Sequence, residues 1–495
     1  MQKIKFAIFI FIFAISFIFI SPNLSMAKSV KELVDEADNL LLAGEHSQAM
    51  SLYRQVIKTD PENISARNNL GNLLILSDKL SEAIKQYQKI IEINPKYANA
   101  YINIGIIMIR KGDLKTAEEV LTLAVQLDVG NSIGHYNLGL ATMGQLKFTE
   151  SIKSFKFCLT INPEYTDALY NLGQIYSNIN QLDKAEETLK KLLHIDKNYY
   201  AGYLELGLLY LKQRKFKKSL EYLNLAGRGP REISSRAHYN AAMVFFGNNK
   251  FKKAEELLKK SLNRDPYFYD AMNDLGFLYS KTDRLDEAEE KYIEAIKIDE
   301  KKSLANYNLA DLYMNQKKYE KAIPLYNYLS KILQTSGEPY NRLGKVYEEQ
   351  KNLNKAMAYY NKAIDIEPEN IDAHFNLAKV LDKGARYKLA AQEYEITVKL
   401  DPQHKLALNN LGMIYMNSLQ LVKAQEAFER ALKIDPKFTF AMFNLGIVYY
   451  NKKTKDDNKK AEVIFKKIMV LTGKKSELYN HAAKALKQVH AAGRK

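Results

Sequence analysis

The 495 residues contain no tryptophan and a single cysteine, Cys158. One cysteine cannot build a disulfide framework, so the fold must be held by packing. Cys158 stands where equivalent segments of the chain carry Ala124 and Ala295, and it reads as a small buried hydrophobe. Catalytic signatures are missing as well: no Gly-rich phosphate loop, GxSxG or HExxH occurs. His135, His238 and His374 are far apart, with no Cys or carboxylate at metal-ligand spacing. On these absences the expectation is a protein that is not an enzyme and takes no cofactor and no metal.

What the chain has is repetition. A small residue returns at Ala37, Gly71, Gly105, Gly139, Gly173, Gly207, Ala242, Gly276, Ala310, Gly344, Ala378, Gly412 and Gly446, every 34 residues with one step of 35. Twelve residues after each of the first twelve comes another, from Ala49 and Ala83 to Ala390 and Ala424. Length alone would suggest several globular domains, but a fixed period overrides that prior. In residues 405–438, Leu408, Leu411, Ile414 and Tyr415 are spaced for one helix, and Ala424, Phe428, Ala431 and Leu432 for a second. Asn417-Ser418 separates the two halves and Asp435-Pro436 ends the second, since proline cannot continue a helix.

With the first small residue counted as position eight, Tyr recurs at position eleven (Tyr176, Tyr279, Tyr415), an aromatic at twenty-four (Tyr53, Tyr360, Phe428) and Pro at thirty-two (Pro61, Pro95, Pro163, Pro266, Pro368, Pro402). This pattern resembles the tetratricopeptide repeat. The position-four Trp usual in that family is replaced by residues such as Tyr101, His135, Tyr203, His238, Tyr340 and His374. The resemblance implies an all-α fold: a right-handed α-solenoid superhelix of about thirteen helix–turn–helix repeats plus a C-terminal capping helix. The expected division is a signal peptide or uncleaved anchor over residues 1–27, the repeat array over 28–473, and the capping helix with its tail over 474–495.

Position six of the first helix holds Asn69, Asn103, Asn137, Asn171, Asn240, Asn308, Asn376, Asn410 and Asn444, interrupted by Asp35, Glu205, Asp274 and Arg342. Asn is a mediocre helix former, so its recurrence needs a reason. A carboxamide offers donor and acceptor together and matches an extended backbone whatever its sequence. The series is similar to the asparagine ladder in the repeat array of O-linked N-acetylglucosamine transferases, without any catalytic domain here. That resemblance implies a concave peptide-binding groove. Tyr136, Tyr170, Tyr239 and Tyr307 at position five, beside the ladder, are the aromatic candidates for the same groove, with Phe375 and Phe443 in later copies.

The net charge is +16 and unevenly spread: residues 212–264 carry fourteen Lys or Arg against four Glu. Lys252, Lys253, Lys259 and Lys260 are its centre, a basic patch suited to an acidic protein or an anionic polysaccharide. Nucleic acid is not expected, because Lys far outnumbers Arg, the usual reader of base edges. At the start, Lys3 and Lys5 precede an apolar run from Phe6 to Ile20, followed by Ser25-Met26-Ala27. A basic start, a short apolar core and small residues two apart describe an export signal. As a helix this run reaches about 22 Å, short of a hydrocarbon core of about 30 Å. The expected location is therefore periplasmic, or anchored through the N-terminus to the outer face of the cytoplasmic membrane.

These features lead to an exported scaffold that binds proteins or peptide segments in a cell-envelope assembly, along its concave groove. The competing expectation is a periplasmic scaffold of exopolysaccharide synthesis and export, bridging a synthase and an outer-membrane pore.

Overall fold

The computed structural model describes residues 28–492, so the expected signal segment lies outside the described residues. From Val30 to Ala492 the chain forms 27 helices, with no strand among the described residues. Thirteen helix pairs, A and B, are followed by one final helix, Glu477–Ala492. The chain divides into two compact units between Gly229 and Pro230. That division falls in the turn that carries the extra residue of the 35-residue step.

Eleven of the thirteen A helices turn into their B helices through three residues, as at Ser77, Asp78 and Lys79, and two do so through two residues, Gly112-Asp113 and Lys453-Thr454. One turn residue is left-handed in every repeat, the middle one of the three-residue turns. Gly44 and Gly112 suit that conformation, whereas Leu146, Leu419 and Lys351 adopt it with side chains that disfavour it. At the far end of the pair, Asp60, Asp265, Asp401 and Asp435 terminate B helices, with their N–H groups bonded to the carbonyls four residues back.

The small residue at position eight makes room for a side chain of the facing helix. A Cβ on Gly139 would stand 2.6 Å from the Phe155 ring, one on Gly344 2.5 Å from Tyr360, and one on Gly412 2.7 Å from Phe428. Position eight is thus the seat of the position-twenty-four side chain. Position twenty meets the same turn from the side: Ser151 Oγ donates to the Gly139 carbonyl at 2.7 Å and Ser219 Oγ to that of Gly207 at 2.8 Å. Tyr53, Tyr87, Phe155, Tyr292, Tyr326, Tyr360, Tyr394 and Phe428 are all fully buried at position twenty-four. Each contributes about 1.5–3 kcal/mol relative to exposure, before entropy is counted.

Position four reveals what stands in for the missing Trp. Arg67, Tyr101, His135 and His374 each reach the carbonyl six residues back, at Pro61, Pro95, Val129 and Pro368, over 2.7–3.1 Å. A side chain with a donor at its tip closes the turn between pairs, which a purely apolar residue cannot do. His135 and His374 are buried and serve this turn.

The last pair departs from the period. Its B helix, Lys455–Thr472, starts in register on a Thr454 cap but runs 18 residues, and Ala461 and Phe465 take the buried places three residues behind schedule. The final helix buries Ala482, Ala485 and Val489 and leaves Lys484, Lys487 and His490 exposed. Such a polar outer face is what the end of a solenoid requires.

Candidate functional site

The ladder asparagines lie on the A helices, and their amide N–H groups are already committed inside the chain. Asn308 donates to Asn273 Oδ1 at 2.9 Å, Asn376 to Asn341 at 3.0 Å and Asn444 to Asn409 at 3.0 Å. In each case the acceptor is position five of the preceding repeat, 35 residues back. Where position five is tyrosine, its hydroxyl makes the same rung: Asn171 donates to Tyr136 Oη at 3.3 Å. Tyr170 and Tyr239 donate to the ladder breakers Glu205 and Asp274 at 3.4 and 2.9 Å. Position nine supplies the partner elsewhere, with Asn69 donating to Asp38, Asn103 to Asn72, and Arg342 to Asp311.

The exceptions follow from the neighbours. Repeat three has Ile102 and Ile106 at positions five and nine, so Asn137 donates to its own helix at the Ile133 carbonyl, 2.8 Å away. Asn240, the first ladder residue of the second unit, likewise meets the Arg236 carbonyl at 2.8 Å. Asn410 donates to Tyr394 Oη at 3.1 Å. The recurrence of Asn therefore has a structural reason within each unit: its amide donates across the gap between successive A helices to a side-chain oxygen of the preceding repeat. Burial raises the Asp274 carboxyl above the ordinary range, with Asp270 adding to it against the hydrogen bonds from Tyr239 and Asn273.

The position-five aromatics are half-buried, and Tyr136, Tyr170, Tyr239 and Phe375 each pack against a second ring, stacked for Tyr136 and tilted for the others. Tyr136 lies 4.8 Å from Tyr165, Tyr170 5.4 Å from Tyr199, Tyr239 5.0 Å from Phe268, and Phe375 4.5 Å from His404. Each partner is the last residue of the same repeat, a pairing visible in the sequence as rings 29 residues apart but not singled out from it. Burial pushes the Tyr136 hydroxyl up to about 12. Tyr307 is also half-buried, and burial raises its hydroxyl too.

What this face leaves open to solvent is position two. Ile133, Leu304, Leu406 and Phe440 are exposed there, Leu406 by 47% and Phe440 by 63%. In repeat twelve Leu406, Asn409 and Met413 share one side of the helix Lys405–Asn417, the spacing of a single helical face. Asn409 also donates toward Met413 Sδ at 3.6 Å. The A-helix surface thus alternates amides with uncovered aliphatic or aromatic side chains, a composition that can hold the backbone and side chains of another polypeptide.

The basic patch sits elsewhere. Lys252, Lys253, Lys259 and Lys260 are all exposed on one B helix, Phe251–Arg264. Lys259 pairs with Glu255 at 2.8 Å and Lys260 with Glu256 at 2.7 Å, while Lys253 lies 5.4 Å over the Phe245 ring. Two of its four charges are therefore locally compensated. Among the described residues, no group of three or more His, Cys, Asp or Glu could hold a metal ion, and no helix is long and apolar enough to cross a membrane.

Family models described as tetratricopeptide repeat match residues 40–97 and 143–203, 86–119 and 257–290, 204–267, 304–327, and 338–370 and 406–438. Among solved structures, yeast Tom70 is 16% identical with a TM-score of 0.40, the match covering 94% of this chain and 95% of that one. The Cut9–Hcn1 hetero-tetramer of the APC/C is 13% identical with a TM-score of 0.39, over 94% of this chain and 97% of its own. MamA is 23% identical over 32% of this chain and 94% of its own, with a TM-score of 0.31. No curated protein matches the chain. With the models matching more than half of the chain, in both units, the chain belongs to the tetratricopeptide-repeat family, whose arrays are scaffolds suited to protein–protein interaction.

Proposed function

We propose that this protein is an exported scaffold that grips extended segments of other proteins along its A-helix face and so holds an envelope assembly together. The observation that carries the reading is the exposure of Leu406 and Phe440 beside the amides of Asn409, Asn410 and Asn444. Solvated apolar side chains in one row cost nothing to a folded helix but gain when another chain covers them. The ladder contributes through the amide groups that its internal hydrogen bonds leave over, since a carboxamide has two N–H donors and a carbonyl. Export rests on the basic, apolar and small-residue succession over residues 1–27.

Two measurements test this. A phosphatase fused after residue 27, active only outside the cytoplasm, should be active in cells; an inactive fusion removes the export half of the reading. A photo-crosslinking residue at Leu406 or Phe440 should form discrete adducts with protein partners, and the same residue at exposed Lys388, on a B helix, should not form those adducts. Identical adducts from both faces would remove the groove half.

A further inference from the structure

The B-helix side of the first unit carries a second surface, independent of the A-helix groove. Two grooves lie side by side there, separated by the B helix of repeat four, Phe148–Ile161. One, of about 440 Å³, has Val125, Val129, Leu138 and Phe157 in its lining. Val129 is 56% exposed and Phe157 39%. The other, of about 350 Å³, has Leu159, Leu169, Leu172 and Tyr176 beneath Lys156, Lys184 and Lys191, with Glu187 the single carboxylate.

These residues depart from their counterparts. Phe157 occupies the position held by Lys89, Lys191, Lys260 and Lys362 in four other repeats and by Leu123, Leu225, Tyr328 and Ile396 in four more. Val129 replaces the closing proline. Among the described residues, none of Lys156, Lys184 and Lys191 is in an ion pair; Lys184 donates to Gln181 at 2.9 Å and lies 5.7 Å from the Tyr176 ring. The corresponding groove between repeats eleven and twelve is electrically balanced, with Glu395 and Glu426 against Lys423 and Arg430. Thus an uncovered apolar groove adjoins one with an uncompensated positive rim.

We infer that this double groove docks an amphipathic helix of a partner protein, its apolar side chains beside Phe157 and Val129 and its carboxylates on Lys156, Lys184 and Lys191. Packed helices stand roughly 8–10 Å apart, and residues seven apart on one helix face are about 10.5 Å apart. A single docked helix therefore reaches both grooves. Glu118, Glu150 and Glu187 disfavour a flat anionic membrane, which cannot avoid them, whereas a helix can turn its acids toward the lysines. Glu118 is itself occupied by Lys147 and Gln145 at 2.5 and 2.8 Å.

The test uses the full chain and a labelled helical peptide of about 18 residues, apolar along one stripe and Glu-rich at one end. A scrambled peptide, a version with Lys for Glu, and vesicles of anionic phospholipid complete the set. The designed peptide should bind and the scrambled one should not. F157K, which installs the residue that four other repeats carry there, should weaken binding by about tenfold or more. The triple reversal K156E/K184E/K191E should lose the acidic peptide and gain the Lys version, a swap that an unfolded variant cannot produce. Equal binding of the scrambled peptide, indifference to F157K, no swap, or displacement of the peptide by the vesicles would overturn the inference.

Discussion

Asn376 donates from Nδ2 to Oδ1 of Asn341, 3.0 Å away and 35 residues earlier, with both side chains buried. The pair is one rung of a polar seam that joins position five of one A helix to position six of the next. A buried amide deprived of its partner loses more than a surface hydrogen bond gains, which makes the seam testable.

Asn376→Ala should destabilise the second unit by about 1–3 kcal/mol, because Asn341 Oδ1 is left buried without that donor. Asn341→Ala should cost a similar amount, and the double variant less than the sum of the two. Asn240→Ala should change little, since that amide meets only its own helix at Arg236 and Ala is the better helix former. Urea unfolding followed by circular dichroism measures all four.

His374 should confer stability at low pH. Its Nδ1 faces Glu393 at 2.6 Å and its Nε2 faces the Pro368 carbonyl at 3.0 Å, two acceptors that together require the doubly protonated ring. The Glu393 contact raises its pKa above the ordinary value against the pull of burial. Its contribution is thus fully present below about pH 6.5 and lost as pH rises through the higher folded value. The melting-temperature gap between the native chain and His374→Phe should narrow from pH 6 to pH 9. Burial lowers the pKa of His135, so its contribution is present above the ordinary value and lost as pH falls through the folded one.

Leu419→Gly should raise stability by about 0.5–1 kcal/mol. Leu419 sits at φ 58° and is 82% exposed, so the substitution relieves left-handed strain without emptying a core site. An increase in the thermal midpoint checks it; a decrease would place the side chain in a contact that its exposure denies.

Cys158 should resist alkylation until the chain unfolds. It is fully buried, and burial pushes its thiol up to about 11, leaving little thiolate at neutral pH. Mass spectrometry after iodoacetamide treatment should find it modified in urea and unmodified in buffer.

The helix pairs, their number and their phase were legible in the sequence, because small and aromatic residues recur at fixed spacing and a helix of given period buries one stripe. The turn prolines and the final helix were legible for the same reason. Other features depended on where neighbouring repeats fall. That Phe428 fills the space over Gly412 was not legible, since the direction of a side chain on the facing helix is a tertiary fact. Repetition marked the ladder without saying what it bonds: that Asn376 faces Asn341, while Asn137 turns back to Ile133, depends on residues 35 and 31 positions earlier across a packed gap. The division at Gly229 and the three-residue delay of Ala461 and Phe465 in the helix Lys455–Thr472 were likewise decided by packing. Local periodicity specified each pair because it follows the geometry of one helix; which polar groups found partners, and which apolar ones remained uncovered, was fixed only when neighbouring pairs came together.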